Sequence, residues 1–532
     1  MNYVTPDDEI IYQAYERENP GMSFGCTSQY GAIWNDKLIV ISKQPDDGGD
    51  VLRGGGCVVI ADARTLKRIG GYYDRPTFDG KTGDGRAVAG ATEDKIYVTT
   101  SSGIFIFDIS DVENPEVTGH LAASDGGDLY NGQVGDIING GKYVYAVMQN
   151  TGILCIDPLT DEVVKTISDA NAQGVTQTAD GTVWYATIAD GHSVFVGIDP
   201  ETLEETARID MPAEIGTVAC GWGAWRSTAF KGDSTTGNLW FTTGAGSIVG
   251  GGSYYYRFNP LTDDPATIEP FFSLAGVKGM NNFGEEVEQM NYGTSIFDPR
   301  NNRLIVMTTR KGAASGQYRD HWLHFVDGTS AELTRTFKLN PYYWFQSLPI
   351  LPDKYDAVID LEDILLPLGD GEKEIDLSEL VSDEDNIDAN IRLSLLDTPM
   401  MLTDDEVAPE MVADVALDGK KLTISPKAGG ERSFTLAAQS NGRTVTKNIN
   451  VKVDVVTGIG STAENAGTVK CDGTRIYING FAGHNLRVYG VTGQQVATID
   501  VDSDDYILDF GSNPGVYILT FDTNLSKKVI IR

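Results

Sequence analysis

One short pattern recurs six times along the chain: an apolar, β-branched strand, a tight polar turn, and a second apolar strand that closes on Asp or Asn. Its clearest copy is Asp94–Thr100 (DKIYVTT), a Ser-Ser-Gly turn, and Ile104–Asp108. The first strands are Asp36–Ser42, Asp94–Thr100, Lys142–Met148, Gly181–Thr187, Gly237–Thr243 and Asn302–Thr308. Their closing residues, Asp62, Asp108, Asp157, Asp199, Asn259 and Asp327, are 46, 49, 42, 60 and 68 positions apart. Val, Ile, Tyr and Thr fit a pleated, half-buried surface, and Asp or Gly at the ends starts turns. A period in the forties with four short strands per copy predicts the blades of an all-β propeller, and the two long intervals predict insertions. Inner strands are expected at Tyr30–Trp34, Ala87–Ala91, Val134–Ile138 and Val175–Thr178. A seventh is expected over Trp344–Leu351 with Tyr355–Ile359 as its partner, and Glu9–Tyr15 as an outer strand closing the ring. The fold expected is therefore a seven-bladed β-propeller over 1–360.

Past Leu361 the pattern changes. Alternating strands at Lys421–Pro426, Ser433–Ala438 and Thr444–Val453 predict an immunoglobulin- or cadherin-like sandwich over 361–456. A Gly/Ser/Thr/Ala/Asn stretch, Thr457–Thr468, reads as a linker into a second small β-sandwich, so that 457–532 forms the last domain. The net charge of −35 argues against nucleic acid as a partner, because phosphate binding needs clustered Lys and Arg. No apolar run reaches the length of a spanning helix, so no transmembrane segment is expected. The N-terminus lacks the basic and apolar regions of a signal peptide. Five cysteines without a C-x-x-C pair leave the redox compartment open.

Ligands of propellers commonly sit where the innermost strands begin, because loops of all blades converge there. Nine positions before Lys37, Lys95, Lys142 and Thr182 stand Ser28, Arg86, Gln133 and Gln173, all polar. The corresponding places of the interrupted repeats hold Trp225-Arg226, Asn291-Tyr292 and Tyr343-Trp344. Hydrogen-bonding groups beside aromatic rings suit a large, partly apolar, amide-rich ligand. The same side chains could equally plug and hydrate the channel. The insertions Ala213–Trp225, Gly244–Tyr256, Gly276–Tyr292 and Lys311–Trp322 are rich in Gly and aromatics, and Trp222 and Tyr254 are their candidates for exposed contact. Trp184, Trp240 and Tyr255 lie within strands, where core packing is expected.

Catalytic patterns are sparse. The five histidines, His120, His192, His321, His324 and His484, have no metal-site spacing, and no G-x-S-x-G motif occurs. No cofactor and no metal site are expected. A paired-acid glycosidase would require carboxylates brought together by the fold.

The segments Leu486–Gln494, Asn513–Ile518 and Lys527–Arg532 resemble the C-terminal sorting domain of proteins exported to Gram-negative cell surfaces, which implies export to the surface or the extracellular space. The 361–456 region is similar to cadherin-like repeats, whose Asp-x-Asp segments can bind Ca²⁺; that likeness implies that Asp383 and Asp385 could supply half of such a site, but no second ligand cluster accompanies them, and Ca²⁺ needs six to eight oxygens. The repeats resemble YVTN-type surface-layer propellers, and the block Tyr342–Tyr355 resembles the final blade of an outer-surface family that includes cobalamin-capture propellers of gut anaerobes. That likeness implies non-catalytic capture of a corrinoid or similar nutrient for a TonB-dependent outer-membrane transporter. The alternatives are a surface adhesion protein binding glycan or protein, and a polysaccharide-active enzyme.

Overall fold

A computed structural model describes residues 1–46, 55–122, 129, 132–218, 229–244, 252–292, 295–312, 319–341, 349–396, 412–454, 467–472, 474–510, 513–522 and 526–531. Two compact units emerge: 1–361 with 376–396 and 436–447, and 362–375 with 397–435 and 448–532.

In the first unit each repeat forms an antiparallel sheet whose strands follow chain order from the hub outwards. The inner strands are Cys26–Trp34, Gly85–Thr92, Val134–Asn139, Gly174–Gln177, Phe230–Gly232 and, in the sixth blade, Glu286–Asn291 continued by Ile296–Asp298. These last two pair with one strand, Arg303–Arg310, two residues out of register with each other. Glu286–Asn291 also pairs with Lys278–Met280, so a hairpin arm extends the sixth blade. Neighbouring blades share apolar cores. Ile39, Ile41, Val58 and Ile60 meet Val98, Phe105 and Phe107 between the first and second blades, and Trp240 and Tyr255 meet Leu304, Val306 and Val326 between the fifth and sixth. Trp184, Trp240, Tyr255 and Cys155 are buried in these layers.

The closing residue of every repeat makes the same turn. The side chains of Asp62, Asp108, Asp157, Asp199, Asn259 and Asp327 accept from the backbone N–H two positions on, at 3.1, 2.8, 2.8, 2.8, 3.0 and 2.9 Å. In four of them the residue four positions on, Leu66, Asp161, Leu203 or Ala331, takes a left-handed conformation with φ near 60°. Its N–H bonds back to the carbonyl of the closing residue at 2.9 to 3.0 Å. Thr65, Ser110, Thr202 and Ser330 donate to Asp62, Asp108, Asp199 and Asp327 and hold those carboxyls below the usual range.

The sector between the sixth and first blades departs from expectation. Glu9–Tyr15 adds no outer strand: Ile10–Ile11 pairs with Tyr3–Val4, and Ala14–Glu18 is helical. A Thr-Pro-Asp-Asp turn at 5–8, with Asp8 at φ 59°, folds the segment on itself. Val358–Ile359, at the end of the expected Tyr355–Ile359 strand, pairs with Val381–Ser382. Arg443 anchors this stretch through Asp353 and the Tyr355 carbonyl. Trp344–Leu351 falls largely outside the described residues. Val4, Ile10 and Leu351 pack on the sixth blade, while Tyr15 and Ile350 pack on the first. Six blades are thus described, and the N-terminal ribbon and helix occupy the sector between the last and the first.

The second unit is also all β. Ile364–Pro367 runs parallel to the end of Arg443–Asp454, and Lys373–Asp376, Lys421–Pro426 and Ala413–Asp418 form a three-stranded sheet. Between 467 and 531 a three-stranded and a four-stranded sheet bury Ile476, Ile478, Leu486, Val488, Leu519 and Phe521 between them. Among the described residues no helix is long and apolar enough to cross a membrane.

Candidate functional site

Inner strands of a propeller share a direction, so their starts gather at one end of the hub and the turns that follow them at the other. The turn end is covered. Arg392 Nε and Nη1 donate to Gly141 O and Ala91 O at 2.6 and 2.9 Å, and Asn390 Nδ2 donates to Gln177 Oε1 at 2.7 Å. Asn35 N donates to Asn441 O at 2.7 Å. Trp34 is clamped between two glycines: a Cβ at Gly90 would lie 1.9 Å from the indole, and one at Gly442 2.6 Å from it. Both side chains must be absent for the ring to fit, and Trp34 Nε1 then reaches Thr92 O at 2.7 Å. The cleft left here, lined by Trp34, Asn139, Asn390, Arg392 and Asn441 among others, has about 20 Å³, enough for a water but not for an organic ligand.

The hub itself is crossed by an ion pair. Lys231 Nζ on the fifth blade donates to Asp136 Oδ2 on the third at 3.2 Å, and the two side chains are 10% and 3% exposed. Burial, with the Asp136 charge adding, pushes the Tyr30 phenol on the first blade well up. Three blades therefore contribute to a plug. Its signal in the sequence is an isolated charge inside an inner strand, in Val134-Gly135-Asp136-Ile137 and Phe230-Lys231-Gly232.

Three residues before Asp136, at the start of the same strand, lies the mouth. Arg86 Nη2 donates to Gln133 Oε1 and Gln133 Nε2 to Gln149 Oε1, both at 3.2 Å. Arg86 Nη1 also donates to Asp84 O and Gly85 O, so among the described residues the acceptors of this guanidinium are neutral. Burial lowers its pKa against the opposing charge of Asp84. Ser28 Oγ contacts Ser42 Oγ at 2.9 Å and Gly25 O at 3.1 Å. Gln173 Nε2 donates to Asn171 O at 3.0 Å. Arg86, Gln133 and Gln149 thus form one chain across the second and third blades, and Gln149, on the turn between second and third strands, joins the residues chosen from sequence.

The interrupted blades are arranged differently. Asn291 is 4% exposed and accepts from Tyr255 Oη at 2.6 Å. Tyr292 is 5% exposed, with its ring 4.8 Å from that of His321. Both lie within blade packing, whereas Tyr254 is 44% exposed. Beside them a polar chain crosses all four strands of the sixth blade. His324 takes Gln289 and Thr308 on Nε2 at 2.7 and 3.0 Å and Thr336 on Nδ1 at 2.9 Å. Burial lowers its imidazole to about 4, so it is neutral. Trp222, Trp225, Arg226, Tyr343 and Trp344 lie outside the described residues. Among the described residues no group of three His, Cys, Asp or Glu is placed to hold a metal.

Solved structures similar to the chain include a quinonprotein alcohol dehydrogenase-like protein of Bacteroides thetaiotaomicron, at 13% identity and a TM-score of 0.44 over 64% of this chain and 75% of that one. An extracellular domain assigned to a one component system of the same bacterium matches at 10% identity and a TM-score of 0.39, over 85% and 62% of the two chains. The β-propeller domain of Cps50 (Swd1) from Myceliophteria thermophila matches at 12% identity and a TM-score of 0.36, over 52% and 79%. No curated protein matches the chain. Residues 1–352 match the family model described as domain of unknown function DUF5074, and the chain belongs to that family.

Proposed function

We propose that the protein is a non-catalytic, exported binding protein that holds its ligand at the hub mouth. In its most concrete form it captures a corrinoid or a similar amide-rich nutrient and passes it to a TonB-dependent transporter. The observation that carries this reading is the half-buried chain Arg86–Gln133–Gln149, flanked by Ser28 and Gln173. Amide groups that bond one another can exchange those partners for the amides of a ligand at little net change in free energy. Lys231 and Asp136 close the hub below, which favours a ligand that rests at the mouth. The sandwich regions beyond Leu361 then serve as a spacer or anchor.

Titration of the full chain with cobalamin, followed by Trp fluorescence, tests the reading. Saturable binding at micromolar ligand or below is expected, and no response there overturns the corrinoid form. Glycan-array binding without small-molecule affinity would instead make the protein an adhesin.

A further inference from the structure

Among the described residues no carboxylate meets Arg86, a half-buried cation at the hub mouth. Other guanidiniums of the first unit are paired: Arg75, Arg300, Arg303 and Arg443 each stand against a carboxylate, at 3.2, 3.6, 2.7 and 2.7 Å. The acceptors of Arg86 are Asp84 O at 3.3 Å and Gly85 O at 3.0 Å on Nη1, and Gln133 Oε1 at 3.2 Å on Nη2. The Asp84 carboxylate is turned to other cations, Arg75 Nη1 at 3.2 Å and Lys43 Nζ at 3.9 Å. Of the remaining acids on this rim, Asp46 accepts from Tyr73 Oη at 2.5 Å, and Asp74 is exposed. Lys43, Arg75 and Arg86 thus gather three positive charges about one half-buried carboxylate, in a chain whose net charge is −35.

The bonds of Arg86 engage Nη1 and Nη2, while Nε is buried and has no acceptor among the described residues. A buried donor of a charged group left without an acceptor is costly. Nε and Nη2 form one edge of the guanidinium fork, and Arg208 displays what that edge takes. Its Nε and Nη2 donate to the two carboxylate oxygens of Glu205 at 3.0 and 2.9 Å. On Arg86 the Nη2 side of the same edge is held by the Gln133 side-chain amide, a neutral group whose other contact is Gln149. An oxyanion that takes the place of Gln133 Oε1 gains a charge-assisted, two-point contact that a single amide oxygen does not supply.

We propose that Arg86 binds an anionic oxygen group of the ligand, a phosphate or a carboxylate, and that Gln133 yields its place on the guanidinium when that group arrives. The ligand of the mouth is then anionic as well as amide-rich. This inference rests on the reading that the ligand sits at the hub mouth, and it narrows the class of molecule that fits there. Corrinoids allow the two to be tested apart, because the nucleotide loop of cobalamin carries a phosphodiester that cobinamide lacks.

Two titrations of the full chain test it. In the first, Tm is followed against inorganic phosphate and, separately, against acetate, at constant ionic strength. A saturable rise of about 1–2 °C is expected in the wild type and is absent in Arg86→Gln, and the anion with the larger effect identifies the preferred group. Equal responses of the two proteins overturn the proposal. Should Arg86→Gln not fold, Gln133→Glu, which sets a carboxylate of the chain itself against the guanidinium, should abolish the rise in the same way. In the second titration cobalamin is compared with cobinamide. The wild type should bind cobalamin about tenfold more tightly, and Arg86→Gln should bring the ratio close to one. A ratio that the substitution leaves unchanged overturns the proposal while binding at the mouth stands. Binding of neither corrinoid, together with a phosphate response that depends on Arg86, removes the corrinoid and upholds the anion site.

Discussion

The two ends of the propeller hub are built from different chemistry. At the turn end buried charges join chain segments to one another: Arg392 to two carbonyls, Arg443 to Asp353, Arg300 and Arg303 to Asp298. At the mouth Ser28, Gln133, Gln149 and Gln173 are neutral and half-buried, and they stand beside the charged Arg86 and Asp84, the latter paired with Arg75 at 3.2 Å. Breaking a buried ion pair strands a charge, so such pairs fix one arrangement. Amides and hydroxyls at a half-open rim change partners readily. The difference teaches that the two ends suit different tasks, the first internal docking and the second recognition.

The pair that separates the two ends supports the sharpest test. Lys231→Ala removes the cation that meets the buried Asp136 carboxylate at 3.2 Å, and a loss of about 3–5 kcal/mol in urea unfolding is expected. Replacing both, Lys231→Met with Asp136→Leu, should recover most of that loss. A loss below about 1 kcal/mol would mean that water reaches the pair and that the hub is open from end to end.

Acid distinguishes the ends next. His324, buried and neutral, has a folded pKa of about 4 against an ordinary 6.5, so the folded chain binds fewer protons and stability falls as pH drops from 6.5 towards 4. Asp353 runs the other way, with a folded value of about 6 against 3.8, and adds stability over nearly the same window. Each amounts to about 3 kcal/mol, so they offset. The wild-type Tm should change little between about pH 6.5 and 4.5, whereas Asp353→Asn, with His324 unopposed, should melt progressively lower. Parallel curves would mean that the Asp353 carboxyl does not supply the offset. Below the ordinary carboxylate range the closing aspartates Asp62, Asp108, Asp199 and Asp327, whose pKa values are depressed, lose their stabilisation in both proteins.

Matched truncations then compare the ends directly. Arg392→Ala removes two charge-assisted bonds to Ala91 O and Gly141 O and should cost about 2 kcal/mol in thermal or urea unfolding. Gln133→Ala should stay within about 1 kcal/mol of wild type, because both of its partners are half-exposed, yet weaken cobalamin binding about tenfold. If the two variants lose equal stability, the mouth is structural.

How much of this the sequence carried follows from the range of the forces involved. The strands and their closing turns are local: alternation and an Asp two positions before a free N–H suffice, and all six closing residues form that turn. Ser28, Arg86, Gln133 and Gln173 fall at inner-strand starts because spacing within a blade is nearly constant. Asn291 and Tyr292 do not share that environment, since the sixth inner strand shifts register by two residues and carries a hairpin arm that no local pattern announces. The Lys231–Asp136 plug and the Arg443–Asp353 pair join residues 95 and 90 positions apart, and only the closed fold brings them together. Asp-x-Asp at 383–385 was visible as an acidic pair, but its position beside Asp353 and Arg443 was not.

The smallest expected effect isolates the turn end from its charges. Ala331 has φ 60°, where an L side chain is disfavoured by about 1 kcal/mol, and its N–H bonds to Asp327 O at 3.0 Å. Ala331→Gly should therefore raise stability by about 0.5–1 kcal/mol, read as a small increase in Tm. Leu203 occupies the same place in the fourth blade, but it is 6% exposed, so Leu203→Gly loses a buried side chain and should destabilise by more than the backbone gains. Because the Ala331 gain comes from the backbone alone, it should be the same at about pH 5 and about pH 7.5. A gain that grew with pH would tie this turn to the buried carboxylates paired with Arg443 and Arg303 and blur the contrast between the charged docking sites and the scaffold that carries them.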